Sequence, residues 1–259
     1  MTVTELVLVV SDMFIPLRCS GINEQFKSML IPNKIQYVLS LGNIGCRESY
    51  DWLKGLSQNF HAVRGDYDEE NYPEKSVVQI GNFKIGMIHG HQIIPTNDFE
   101  LLSNVQRELD CDILLYGNTH QLSVKTKDNC IYINPGSISG AVSSNMENNN
   151  PSFILMMLQG DEVTIYSYVL KDKNKKFVVG QIEYVRGEEE FKVVQSIEDE
   201  NNNDEKNQSN ENNENVENNQ EVKQEENKEG GTQENQQENQ QEIQTEPTAV
   251  NNADEKLEE

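Results

Sequence analysis

Five short apolar runs, each ending in a polar turn, constrain this chain more than any other feature. Val7-Leu8-Val9-Val10 runs into Ser11-Asp12, and Tyr37-Val38-Leu39-Ser40-Leu41 into Gly42-Asn43. His61-Ala62-Val63-Arg64 runs into Gly65-Asp66, and Ile85-Gly86-Met87-Ile88 into His89-Gly90-His91. The fifth, residues 112–116, runs into Gly117-Asn118-Thr119-His120. Apolar runs of this length bounded by turn residues are buried strands, and α/β proteins present functional side chains at the carboxyl ends of their strands. Asp, Asn and His are also ordinary turn and cap residues, so no single position here points to chemistry. Five in order, with three of the chain's four histidines in their turns, point to one site.

The spacing of apolar residues predicts strands at 5–10, 35–41 and 60–64, with helices at 23–30 and 47–56 between them. Asn23 caps the first helix and Pro32 ends it. Tyr50, Leu53 and Leu56 form the inward face of the second. This β-α-β-α-β order is that of a parallel sheet with helical crossovers. Strands at 75–80 and 83–88 flank Gly81-Asn82 and form a hairpin. A helix at 98–109 carries Leu101, Leu102, Val105 and Leu109 on one face, and a strand at 112–116 follows. After that the helices stop, and strands are expected at 122–127, 130–134, 152–159, 163–170 and 177–184. The fold class is α/β: two packed β-sheets flanked by helices, with a disordered C-terminal tail.

Composition places the tail. Residues 196–259 are rich in Asn, Gln and Glu, contain no aromatic residue or Cys, and carry 20 acidic against 4 basic residues. Such a segment cannot bury enough apolar surface to offset the entropy of ordering it. The expected organisation is a folded domain at 1–190 and a solvated acidic tail at 196–259. The remainder, at net charge −7, is unsuited to nucleic acid. Cys19, Cys46, Cys111 and Cys130 form no C-x-x-C pair, as in a reduced cytoplasmic chain with isolated thiols. The N-terminus lacks a basic leader, and no stretch approaches the ~20 apolar residues that span a bilayer. Any association with membranes is expected to come through a partner.

The strand-end residues, in order, resemble the calcineurin-like metallophosphoesterase pattern of D-x-H, G-D, G-N, H and G-H-x-H. In that pattern two divalent cations about 3.5–4 Å apart clamp a phosphate. The resemblance implies an αββα sandwich. Asp12, His89 and His120 match it. Phe14 stands where the first His belongs, Asn43 where the bridging Asp belongs, Asp66 where the Asn belongs, and Asn118 where the first His of the last motif belongs. Phe cannot ligate a metal, and Asn43 lacks the charge that holds two cations together. What remains at Asp12, Asn43, Asp66, His89 and His120 is a vestigial or weak site, with at most one loosely held divalent cation, zinc or manganese, and no required cofactor.

Longer stretches narrow the resemblance. Ile15-Pro16-Leu17-Arg18-Cys19, Val63-Arg64-Gly65-Asp66-Tyr67-Asp68, Ile88-His89-Gly90-His91-Gln92-Ile93-Ile94-Pro95 and Ile133-Asn134-Pro135-Gly136-Ser137 resemble the vacuolar protein sorting 29 family, the phosphoesterase-like subunits of retromer. The match runs through about the first 185 residues. That family already has Asn at the second motif and Asp at the third; Phe14 and Asn118 depart further. The resemblance implies a non-catalytic scaffold that binds the C-terminal part of an α-solenoid sorting subunit in endosome-to-Golgi transport. Ile93, Ile94 and Asp66 match the solenoid contact. Leu30, Leu155, Tyr166 and Tyr168 match a patch that takes regulator peptides with Pro-Leu motifs. On the residues alone, Ile93-Ile94-Pro95 puts one isoleucine at the surface unless the loop folds back on the core. Tyr166 and Tyr168, two apart on a strand, share a face. The alternative function is a metal-dependent phosphodiesterase with a degenerate site. A nuclease of this fold would need two metals and a basic face.

Overall fold

The computed structural model describes residues 3–143, 150–171, 176–187 and 190–198. Contacts divide the chain into Met1–Lys206 and Asn207–Glu259, and the architecture below is that of the first unit. Its elements are β1 (Thr4–Val10), α1 (Glu24–Met29), β2 (Tyr37–Ser40), α2 (Arg47–Leu56), β3 (Asn59–Ala62), β4 (Lys75–Ile80), β5 (Phe83–Ile88), α3 (Phe99–Leu109), β6 (Ile113–Tyr116), β7 (Leu122–Lys127), β8 (Cys130–Pro135), β9 (Ser152–Gln159), β10 (Glu162–Lys171), β11 (Lys176–Val185) and β12 (Lys192–Glu198). One sheet has the order β12-β11-β10-β9-β1-β2-β3, the other β4-β5-β6-β8-β7.

Alternation along the strands assigns each face. In β1, Val7 and Val9 enter the core between the sheets, with Leu39, Ile85, Met87, Ile113 and Leu115. Leu8 and Val10 point the other way, to Phe26 of α1 and Leu53 and Leu56 of α2. In β6, Leu114 and Tyr116 lie under Leu102 and Val105 of α3. Period-two alternation on strands and a period near four on helices therefore yield three apolar layers, and the αββα sandwich follows.

Parallel β1, β2 and β3 are joined by α1 and α2, and β5 and β6 run parallel across α3. Asn23 accepts a hydrogen bond from the Gln25 amide at 2.8 Å, and Asp98 accepts from Glu100 and Leu101 at 2.9 and 3.0 Å. Both caps satisfy amides that a helix start leaves open. Gly81 and Asn82 form a two-residue turn, with Ile80 opposite Phe83.

The sheet extends further than the sequence reading places it. Strands were expected to end at residue 184 and the tail to begin at 196, but β12 pairs antiparallel with β11 through Glu198. An open β11 edge offers unpaired backbone groups, and a segment rich in Val and Ile such as Val193-Val194 pairs with it. Of the disordered tail expected at 196–259, residues 196–198 belong to β12 and residues 199–259 lie outside the described residues. Among the described residues, no helix is long and apolar enough to cross a membrane.

Candidate functional site

The five strand ends meet. Asp12, Phe14, Asn43, Asn118 and His120 all hold left-handed backbone, with φ of 54°, 48°, 54°, 68° and 59°. Such values are uncommon outside glycine and cluster where function over-determines the fold. Gly42, at φ 104°, passes so close to Gly65 that a Cβ would sit 2.5 Å from the Gly65 nitrogen. Only glycine lets these two loops touch.

Buried Asp12 accepts a hydrogen bond at Oδ2 from the Asn118 amide at 2.9 Å, and its own carbonyl accepts from the Ser137 hydroxyl at 2.7 Å. Its Oδ1 has no hydrogen-bond partner. That atom lies 3.8 Å from His89 Nε2 and 3.9 Å from His120 Nε2. His89 Nδ1 is 2.6 Å from the Leu41 carbonyl and His120 Nδ1 is 2.8 Å from the Ala141 carbonyl. A carbonyl accepts only, so each Nδ1 donates and each Nε2 faces the pocket, the arrangement that second-shell carbonyls impose on metal-binding histidines.

Asn43 reads differently from a bridging ligand. Its Oδ1 accepts from the Tyr67 amide at 3.0 Å, which orients the side chain. Its Nδ2 therefore points at Asp66 Oδ1, 2.9 Å away, and His89 Nε2, 3.0 Å away. Asp68, never singled out by the sequence reading, holds these loops together: its carboxylate accepts from the amides of Asn43 (2.7 Å), Ile44 (2.9 Å) and Gly65 (2.8 Å). Asp66 lies 3.3 Å from His89 Nε2. That histidine holds its carboxyl well below the usual carboxylate range, against the opposing effect of burial. Burial works to deprotonate His89, but Asp66 and Asp12 outweigh it and its pKa is raised. At His91, burial and the neighbouring His89 push the pKa down.

Phe14 occupies the other side of the pocket. It is 3% exposed, and its ring stacks on His120 with centroids 5.4 Å apart and meets Tyr67 edge-on at 5.2 Å. The Arg18 guanidinium covers it at 4.0 Å from the ring centroid. An apolar ring under a cation stands where a ligand to the first metal would be. The site residues expected from sequence thus divide. Asp12, Asn43, Asp66 and His89 converge, while His120 faces Asp12 and Phe14. Among the described residues, the group whose ligand atoms lie within 4.8 Å of one another is Asp66, His89 and His91. His91, which joins this group, was not among the site residues expected from sequence, although an H-x-H step straight after a strand is a recognisable signal.

Residues 6–161 match the model of the calcineurin-like phosphoesterase superfamily domain. The vacuolar protein sorting-associated protein 29 of Schizosaccharomyces pombe is 38% identical over 172 residues, covering 64% of this chain and 92% of the relative. The chain belongs to the vacuolar protein sorting-associated protein 29 family. The wild-type member from Entamoeba histolytica, complexed with zinc, is 42% identical with a TM-score of 0.65, over 69% of this chain and 98% of that one. The Chaetomium thermophilum member, complexed with a cyclic peptide, is 33% identical with a TM-score of 0.64, over 71% and 98%.

Within this family the two expected surfaces fare unevenly. Ile94 is 80% exposed, but Ile93 is 5% exposed and packs beside Ile88, Leu102 and Tyr116. The Ile93 amide donates to the Gly90 carbonyl at 3.1 Å, a turn that folds its side chain inward. Ile93, expected at the solenoid contact, packs in the core of this chain. Leu30, expected in the peptide patch, is 2% exposed: it is the C-cap of α1, its amide donates to the Phe26 carbonyl, and its side chain packs in the cluster with Phe26. Leu155, Tyr166 and Tyr168 are half-buried. Tyr166 is opposite Leu155 in the β9–β10 ladder, and Tyr168 stacks on Phe153 at 4.7 Å.

Proposed function

We propose that this chain is a non-catalytic scaffold subunit of retromer that binds the C-terminal part of the α-solenoid sorting subunit for endosome-to-Golgi protein transport. The observation that carries the reading is the exposed apolar rim of the pocket. Ile94, Leu17 (67% exposed), Tyr67 (52%) and Val142 (65%) sit on the strand-end loops, each within three residues of His91, Arg18, Asp66 or Ala141. Exposed apolar side chains gathered on one set of loops mark a protein contact. Phosphoryl transfer with two metals is disfavoured by the same pocket. Phe14 fills one ligand position, and Asn43 offers an amide donor where a bridging carboxylate would be needed.

Leu155, Tyr166 and Tyr168 form the proposed second surface for peptides with Pro-Leu motifs, supported by the peptide-bound Chaetomium relative. Asp66 joins Ile94 at the solenoid contact. Location on endosomal membranes then comes through the complex. The zinc complex of the Entamoeba relative supports one weakly held cation here, zinc or manganese, with no required cofactor.

The test is a pulldown with the C-terminal half of the solenoid. An Ile buried at an interface contributes about 1.5–3 kcal/mol, and an Asp in its place adds a buried unpaired charge. Ile94→Asp should therefore stay folded by circular dichroism and lose the solenoid, while Leu155→Asp should keep it. A folded Ile94→Asp that binds like wild type refutes docking at the rim. Saturable phosphodiester hydrolysis abolished by His89→Ala would instead establish the enzyme reading.

A further inference from the structure

We infer that Arg18 is the charge by which the rim selects its partner: it takes one carboxylate, Asp or Glu, from an otherwise apolar segment of the solenoid, and Phe14 is the positioning residue that holds it ready. This rests on the docking reading above and names the chemistry that such docking requires. The Arg18 guanidinium lies against two aromatic rings, 4.0 Å from the Phe14 centroid and 5.0 Å from that of Tyr67. Both are within cation–π range. The loop itself puts it there. The Phe14 amide donates to the Asn43 carbonyl at 2.9 Å, and the Arg18 amide donates to the Phe14 carbonyl at 2.8 Å, a turn that folds Arg18 back over the ring. The Cys19 thiol donates to the Ser139 carbonyl at 3.3 Å, and Arg18 Nη1 donates to the Val142 carbonyl at 3.4 Å. A side chain already held by two rings and a carbonyl has little freedom left to lose on binding.

What Arg18 lacks is an anion. Arg47, Arg64 and Arg186 hold carboxylates of this chain at 3.0, 3.4 and 3.0 Å. Among the described residues no carboxylate does so for Arg18, which is exposed and gives one N–H to Val142. Its remaining donors form a fork that matches a carboxylate with two parallel hydrogen bonds, a geometry lysine does not supply. The surroundings are apolar: adjoining Leu17 is 67% exposed, Val142 65% and Tyr67 52%. A partner segment seated on these side chains would exclude water from the ion pair and so reduce its screening. A wholly apolar segment would instead bury the guanidinium unpaired, at a heavy penalty. Phe14 makes the arrangement work. A metal-bound imidazole at that position would repel a guanidinium, whereas the face of a phenyl ring attracts one. A position withdrawn from metal chemistry thus serves recognition.

The test titrates the full chain against the C-terminal half of the solenoid, with circular dichroism melts as folding controls. Arg18 is exposed, so Arg18→Gln and Arg18→Glu should melt like wild type. Kd should rise roughly tenfold in Arg18→Gln and further in Arg18→Glu. Arg18→Lys should recover only part of the loss. Phe14→Tyr should bind within about twofold of wild type, and Phe14→Leu, which removes the ring but stays apolar, should bind several-fold more weakly. A purely structural role for Arg18 would not answer to charge on the partner. Exposed Asp and Glu residues of the solenoid are therefore changed singly to Arg, and one such variant should lose wild type and restore Arg18→Glu. The inference is overturned if no such variant restores Arg18→Glu. It is overturned equally if Ile94→Asp loses the solenoid while Arg18→Glu binds within about twofold of wild type, the behaviour of a solvent-exposed charge that contributes little. The docking reading fails separately, when folded Ile94→Asp binds like wild type.

Discussion

Asp68 offers the sharpest test of how the site is built. One carboxylate accepts three backbone amides, from Asn43, Ile44 and Gly65, and so ties the loop after β2 to the loop after β3. It is 6% exposed, so water cannot readily replace it. In Asp68→Asn, the amide oxygen can take the place of Oδ2 and keep the Asn43 and Gly65 amides. Its NH2 then faces the Ile44 amide, donor against donor. One charge-assisted bond is lost and one buried donor is orphaned, a cost of about 2 kcal/mol. Asp68→Ala orphans all three donors and should cost about 4 kcal/mol after the loops relax. For a domain near this size each kcal/mol moves the midpoint by about 2–4 °C, so the expected drops are roughly 4–8 °C and 8–16 °C. The assay is thermal unfolding by circular dichroism in chelator, repeated with zinc. Because Asn43 and Asp66 ride on the two tied loops, zinc affinity should fall about tenfold in Asp68→Asn. A midpoint within about 1 °C of wild type would refute the argument. It would mean that the three amides find other partners and that the carboxylate does not organise the site.

Three further outcomes are expected. Asn43→Asp places a carboxylate beside Asp66 and His89, so the metal-free midpoint should drop while zinc binds at least tenfold tighter, both readable in melts with and without zinc. Truncation after Glu198 should leave the midpoint unchanged, whereas truncation after Glu190 removes β12, bares the β11 edge and should lower it by several degrees or promote aggregation on sizing columns. The pKa of His89 is raised in the fold, so its contribution is fully present below about pH 6.5 and is lost as pH rises through the raised value. The gap in midpoint between wild type and His89→Gln, measured in chelator, should be widest near pH 5–6 and narrow towards pH 9. His91, whose pKa is lowered first by burial and then by His89, works in the opposite sense; the burial share is common to both proteins, and the share due to His89 is lost in His89→Gln.

Much of this molecule is legible in the sequence because its elements follow from short-range patterns. Alternation along β1 and β6, the four-residue spacing of Phe26 and Leu30, the caps Asn23 and Asp98 and the turn at Gly81-Asn82 are each settled within a few residues of chain. So is the placement of Asp12, Asn43, Asp66, His89 and His120 at strand ends, since a strand that stops must present whatever follows it. What those residues do to one another was decided by contacts spanning tens of residues or more. Asn43 is a donor and not a bridging acceptor because the Tyr67 amide, 24 positions on, orients it. Phe14 closes half the pocket because His120 and Tyr67 lie against its ring, and Ile93 rather than Ile94 is core because α3 covers it. β12 exists because β11 leaves an edge to pair with. Local periodicity specifies which face of an element is apolar. Only the assembled layers determine which polar atoms share a cavity, and at these distances a single hydrogen bond decides whether a side chain acts as a ligand.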